Sequence, residues 1–291
     1  MLPKFSYLKA LTLEDALKAL ADHGPEARIL AGGTDLLVSM RGGVAAPRHL
    51  VDIKHIPEMS EIRIDKDGSI AVGACVTIND LMAVDFPSGC DALCQAASAL
   101  ATNQVRNRAT VGGNLCNASP ACDLAPPLMV LAARLRLVSA GGERTIDLED
   151  WFVCPKQSCI AEGEILVEVT IPAHPAMSSG FGKRQRIRGH DLAVVNAAVA
   201  FGADSVKIAV GAVAPTPLLL EGPAGNLRGG ESGWDGALAL LRETVAPIDD
   251  VRASGAYRKL MVEGLVLHLL QMLANVKRTG GGRGGGKGGV R

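Results

Sequence analysis

Aromatic residues are scarce in this 291-residue chain, at 3%, with two Trp, two Tyr and five Phe. Few rings are therefore present to stack on bases, as a single-strand nucleic-acid binder requires. Long apolar runs are missing too. No stretch reaches about 18 consecutive apolar residues, so no membrane span is expected. Net charge is absent, with 30 basic and 30 acidic side chains, which removes overall steering toward a polyanion. The first twenty residues carry acids at helical spacing instead of a basic start and an unbroken apolar core, unlike a secretory signal. Seven cysteines occur, an odd number without secretory context, which fits a reducing compartment. A cytoplasmic location is the expectation. The close pairs Cys90/Cys94, Cys116/Cys122 and Cys154/Cys159 lack the two-residue gap common in zinc and iron–sulfur ligation, so no metal site is expected.

What is present is a 48% hydrophobic composition, enough for a sizeable core built mostly from Ala, Val and Leu. Thr12–Asp15 reads as a helix start. Residues 28–31 read as a strand entering a tight loop, with Asp35 capping a helix over 36–41. Strands are expected at 49–53, 62–64 and 69–73, the last two flanking a turn at Asp65–Gly68. A short helix opens at Thr77 and a longer one covers 90–101. A helical turn at 127–133 leads into strands at 134–138 and 145–148. Residues 164–171 alternate as a strand with one wet face. Pro172–Pro175 marks a boundary, beyond which strands at 182–188, 193–202 and 206–213 precede helices near 234–244 and 255–273. The order is that of an α+β protein with a separate C-terminal domain. Lys277, Arg278, Arg283, Lys287 and Arg291 lie in a glycine-rich end without acids, expected to be a disordered tail.

Two glycine doublets carry the chemistry. One is Leu30-Ala31-Gly32-Gly33-Thr34-Asp35; the other is Thr110-Val-Gly112-Gly113-Asn114. Paired glycines admit positive φ and bring successive N–H groups to one point, a concavity that binds anions. Two such loops could hold a pyrophosphate between them, with Thr34, Thr110 and Asn114 adding hydrogen bonds. Two ordinary turns remain the alternative. Neither loop has the G-x-G-x-x-G spacing of a Rossmann site or the lysine of a phosphate-binding P-loop.

At these residues the chain resembles the FAD-binding subunits of the molybdenum hydroxylase family, the xanthine dehydrogenase and carbon monoxide dehydrogenase type. Ala31–Asp35 and Thr110–Asn114 match its two loops, followed by Ser119-Pro120 and Asp123–Pro126. Gly180–Val195 and Pro247–Arg252 with Tyr257-Arg258 match its later motifs. The resemblance runs from about residue 2 to 275. It implies a two-subdomain FAD-binding fold of the PCMH type, like vanillyl-alcohol oxidase, over 1–55 and 56–174. A C-terminal α+β domain of the CO dehydrogenase flavoprotein type would follow over 175–275, with the tail at 276–291.

By the same resemblance, residues 30–35 with Thr110, Gly112, Gly113 and Asn114 line the FAD diphosphate. Asp123 meets the ribityl region, Leu166 and Lys183 lie near adenine or flavin, and Leu192 approaches the flavin face. Read as residues alone, Asp123 could equally cap a helix, Lys183 be solvated and Leu192 be core. The first loop has no His, which implies non-covalent FAD. The short gap from Asn114 to Asp123 implies that no extra iron–sulfur insertion is present. The implied activity is electron transfer, with the flavin doing the redox chemistry and no nucleophile or general base in the chain. Electrons would come from a [2Fe–2S] small subunit served by a molybdopterin large subunit, and would pass to NAD, O2 or a quinone-linked acceptor. A stand-alone flavin oxidase of the same fold is the alternative. A non-catalytic interaction protein using the basic tail is a third reading, although no nucleic-acid partner is expected.

Overall fold

The computed structural model describes residues 2–173, 178–187, 189, 191–223 and 234–280, with side chains described through Ala274. The tail expectation over 281–291 and part of the 172–175 boundary lie outside the described residues.

The chain opens with a small parallel sheet. Strands β1 (Ser6–Lys9), β2 (Ala27–Leu30) and β3 (His49–Asp52) lie in the order β1-β3-β2. Helix α1 (Leu13–His23) connects β1 to β2. It starts at a full capping box, in which the Thr12 hydroxyl accepts from the Asp15 amide and the Asp15 carboxylate accepts from the Thr12 amide. Helix α2 (Leu36–Arg41) packs Met40 against Leu30 and Leu50 in a small core of its own.

A five-stranded antiparallel sheet follows, in the order β4 (Ile62–Ile64), β5 (Ile70–Gly73), β10 (Ile165–Ile171), β6 (Arg134–Ser139), β7 (Gly142–Asp147). The wet face expected for residues 164–171 is not there. As the central strand, β10 is covered on both faces, and the acid in its middle, Glu168, is buried. Its charge is met by Arg63 at 2.5 Å and Arg136 at 3.6 Å, which is how an alternating sequence occupies a buried strand.

Between β5 and β6 lie α3 (Ile78–Met82), α4 (Asp91–Ala99), α5 (Asn103–Arg106), α6 (Val111–Cys116) and α7 (Ala125–Val130). A short hairpin, β8 (Phe152–Cys154) and β9 (Gln157–Ser158), lies between β7 and β10.

The C-terminal part is a meander of β11 (Ser178–Arg184), β12 (Val195–Phe201), β13 (Ser205–Gly211) and β14 (Leu218–Pro223). Helices α8 (Asp235–Thr244) and α9 (Gly255–Gly280) follow, and α9 runs past the expected start of the tail. Period-2 alternation sorts the two faces of β12. Val195, Ala197, Val199 and Phe201 join the core formed with α8 and α9, whereas Ala198 and Ala200 join the larger core of residues 10–171. Small side chains on that second face let α7 lie close against the sheet. One sheet thus serves two cores and fixes the C-terminal part on the preceding one.

Candidate functional site

The two glycine loops meet. A Cβ on Gly32 would overlap the Arg108 carbonyl oxygen, so the first loop lies directly on the backbone that leads into the second. The Asp35 carboxylate accepts from the Asn117 side-chain amide at 2.9 Å, tying the other ends together across 82 positions of sequence. Asp35 precedes α2 as expected, but its side chain makes no cap there, because Asn117 holds it instead.

Their amides are used differently. Residues 111–116 form the helix α6, with Thr110 as its N-cap. The Val111 amide donates to Val76 O at 3.0 Å, Gly112 to Ala74 O at 2.8 Å, and Gly113 to the Thr110 hydroxyl at 3.1 Å. Gly112 is required here: a Cβ would stand 2.6 Å from Ala74 Cβ and 2.8 Å from Ala74 O. The Asn114 side-chain oxygen accepts from the Cys122 thiol at 2.9 Å and the Leu124 amide at 3.4 Å, while its NH2 group makes no bond among the described residues. Burial pushes the Cys122 thiol up to about 12, so it stays protonated and donates.

In the first loop Gly33 has φ +76°, and among the described residues nothing accepts from the amides of Gly32, Gly33 or Thr34. Consecutive partner-free amides around a left-handed residue form a nest for an anion. Leu30 is the buried last residue of β2 and Ala31 is half-buried at the entrance to the nest.

Nine residues past Asn114, Asp123 is buried in an ion pair with Lys183 of β11 at 2.6 Å, and its other oxygen accepts from Asn196 of β12 at 2.9 Å. Burial raises the Asp123 carboxyl above its ordinary range, and Lys183 and Asn196 act against that shift. Both charges face each other at the seam with the C-terminal sheet. Leu166 is core, one residue before Val167, whose carbonyl accepts from the same Ala74 that receives Gly112.

Leu192 is 59% exposed, on the connection between β11 and β12. The carbonyls that follow it are gripped from the C-terminal signature: Arg252 donates to Ala193 O at 3.1 Å and Arg258 to Val194 O at 2.7 Å. Asp250 holds both arginines at 2.6 Å. Burial alone would raise the Asp250 carboxyl; bonds from Arg252 and Arg258 outweigh it and hold it well below the usual carboxylate range.

The two parts of the chain match known families in order. Residues 3–174 match the family described as "FAD binding domain in molybdopterin dehydrogenase", and residues 181–273 match "CO dehydrogenase flavoprotein C-terminal domain". The chain is an FAD-binding medium subunit of the molybdenum hydroxylase family. It is 32% identical over 279 residues to the xanthine dehydrogenase FAD-binding subunit of Escherichia coli O157:H7, covering 92% of both chains. It is 29% identical over 281 residues to the carbon monoxide dehydrogenase medium chain of Hydrogenophaga pseudoflava, covering 92% of this chain and 96% of that one.

Two solved structures share the fold. The carbon monoxide dehydrogenase from Hydrogenophaga pseudoflava that lacks the Mo-pyranopterin moiety superposes with a TM-score of 0.83 at 29% identity, over 93% and 97% of the two chains. The quinoline 2-oxidoreductase from Pseudomonas putida 86 gives 0.84 at 28%, over 94% and 98%.

As a member of this family the chain is an oxidoreductase subunit, and FAD is its cofactor. The nest fits such a ligand, because it offers an anion three donors that have no partner among the described residues. Residues that sequence reasoning misses are the Arg108–Ala109 backbone, Asn117 and Asn196. The signal for the first was the glycine at 32, which demands a close neighbour; nothing local marks the other two. No helix among the described residues is long and apolar enough to cross a membrane.

Proposed function

We propose that this chain is the electron-transfer subunit of a heterotrimeric molybdenum hydroxylase. Electrons from the [2Fe–2S] clusters of a small partner, served by a molybdopterin-binding large partner, leave through this chain to NAD, O2 or a quinone-linked acceptor. Bound FAD would supply the redox chemistry, held non-covalently. The observation that carries this reading is the free-amide nest at Gly32–Thr34, set within a chain that matches both halves of the family's flavin subunits.

The residues of the chain bind and orient. The nest receives the diphosphate, with Leu30, Ala31 and Asp35 at its edges and the Asn114 NH2 group as a further donor. Thr110, Gly112 and Gly113 shape the opposite wall as a rigid helix start. Asp123 and Lys183 fix the second domain against the first, so that Leu192, pinned by Arg252 and Arg258, faces the flavin. Leu166 packs beneath the second loop.

Purification of the untagged chain from its source tests this directly. Three chains should elute together with a flavin absorbance that bleaches when the reducing substrate of the complex is added. A lone chain that oxidises a small alcohol or amine by itself would overturn the assignment in favour of an oxidase.

A further inference from the structure

The hairpin turn between β8 and β9 carries an oddity of residue choice. Pro155 fixes its own φ near −65°, and Lys156 follows with φ +67°. That is the combination of a type II turn, whose third position favours glycine. This chain places a lysine there, in a region of φ that side chains other than those of Gly, Asn and Asp rarely adopt.

The turn is strapped to α6. The Lys156 amide donates to Ala118 O at 2.8 Å, Trp151 donates through Nε1 to Leu115 O at 3.0 Å, and the Cys159 amide returns to Trp151 O at 2.9 Å. Trp151 is fully buried, so the hairpin is anchored and not a loose surface loop. Lys156 Nζ donates to Asn117 Oδ1 at 3.0 Å, and the Nδ2 of that same amide donates to Asp35 at the end of the first glycine loop. The ammonium forms no ion pair among the described residues and is exposed. Asn117 therefore bridges an unpaired cation to the loop that bears the free amides.

A diphosphate in that nest brings negative charge beside the Asp35 carboxylate. Amides supply only partial charges, whereas Lys156 adds a full positive charge that is bonded through Asn117 to the first loop. We propose that Lys156 is the counter-cation of the FAD diphosphate, and that this role keeps a lysine at a turn position where glycine fits better. The inference rests on the assignment of the Gly32–Thr34 nest to the diphosphate.

The full-length chain, stripped of FAD and titrated with it while flavin fluorescence is followed, gives the test. In K156G the FAD dissociation constant should rise roughly tenfold or more at low salt, and its salt dependence should flatten. The melting temperature of the FAD-free chain should stay level or rise by up to about 4 °C, because the strained φ is relieved. K156R should bind nearly as wild type. Wild-type affinity and salt dependence in K156G would overturn the role of Lys156 alone. A fall in melting temperature parallel to the loss of affinity would make Lys156 structural and overturn it as well. Wild-type affinity in both K156G and Gly33→Val would instead remove the nest assignment beneath it.

Discussion

The same dipeptide, Gly-Gly, is used for opposite reasons at residues 32–33 and 112–113. In the second loop glycine is demanded by the protein itself: Gly112 lies on Ala74, its amide bonded at 2.8 Å, inside a helix start whose donors are already engaged. In the first, Gly32 lets the backbone rest on Arg108, while Gly33 turns to φ +76° and the amides of residues 32–34 have no partner among the described residues. The lesson is that a glycine-rich loop is not in itself an anion site. What makes one is the set of amides left over after internal hydrogen bonds are counted. On the proposed reading, the second loop is scaffold and the first is the receptor built on it.

That division can be broken from the scaffold side, where the largest losses of stability are expected. Lys183→Met leaves Asp123 buried with only Asn196 as partner. Removing one member of a buried pair costs about 3–5 kcal/mol, read as a lower urea midpoint of the FAD-free chain. The sign of its pH dependence follows from burial, which raises the Asp123 carboxyl. A carboxyl with a folded pKa above its unfolded value binds its proton more tightly when folded, so stability falls as pH rises. The K183M defect should be worst at neutral pH and shrink in mildly acidic buffer. A defect that does not change with pH would show that Asp123 carries no uncompensated charge. Gly112→Ala comes next. Its methyl group meets backbone as well as side chain at Ala74, an overpacking that costs about 1–3 kcal/mol. Wild-type stability combined with lost FAD affinity would turn this loop from scaffold into receptor.

Much of the scaffold is legible in the sequence, and the failures have physical causes. The capping box at Thr12 and the hairpin around Asp65–Gly68 follow from local chemistry that the structure leaves unchanged, whereas the helix 36–41 forms without the Asp35 side-chain cap expected to start it. The helix α6 does not, because two glycines in succession each cost about 1 kcal/mol in a helix. Bonds to Val76 and Ala74, and Trp151 bonded to Leu115 O, override that preference from far along the chain. Strand β11 begins at Ser178, four residues before the expected Gly182, since Gly180 and Gly182 weaken a strand reading. In the folded chain these glycines receive Met272 and Leu265 of α9, and a Cβ on Gly182 would stand 2.6 Å from Leu265 Cδ1. The nest itself is visible as a motif, but which of its amides are free is not, since that depends on where Arg108 and Asn117 arrive.

The smallest effect on stability, and the sharpest test of the comparison, belongs to Gly33→Ala. The new methyl group would meet only the ends of Leu30 and Leu37, at 3.0 and 3.2 Å, and these can rotate aside. What remains is the left-handed φ, a cost of about 1–2 kcal/mol for a residue with a Cβ. The FAD-free chain should therefore unfold at slightly lower urea than wild type, and at higher urea than K183M. Its affinity for FAD should fall by roughly tenfold or more, since relieving φ at residue 33 rotates the amides of Gly33 and Thr34 away from a common point. Affinity and stability are thus expected to rank Gly33→Ala and Gly112→Ala in opposite orders. If both rank them alike, the two doublets do the same work, and the distinction between receptor and scaffold fails.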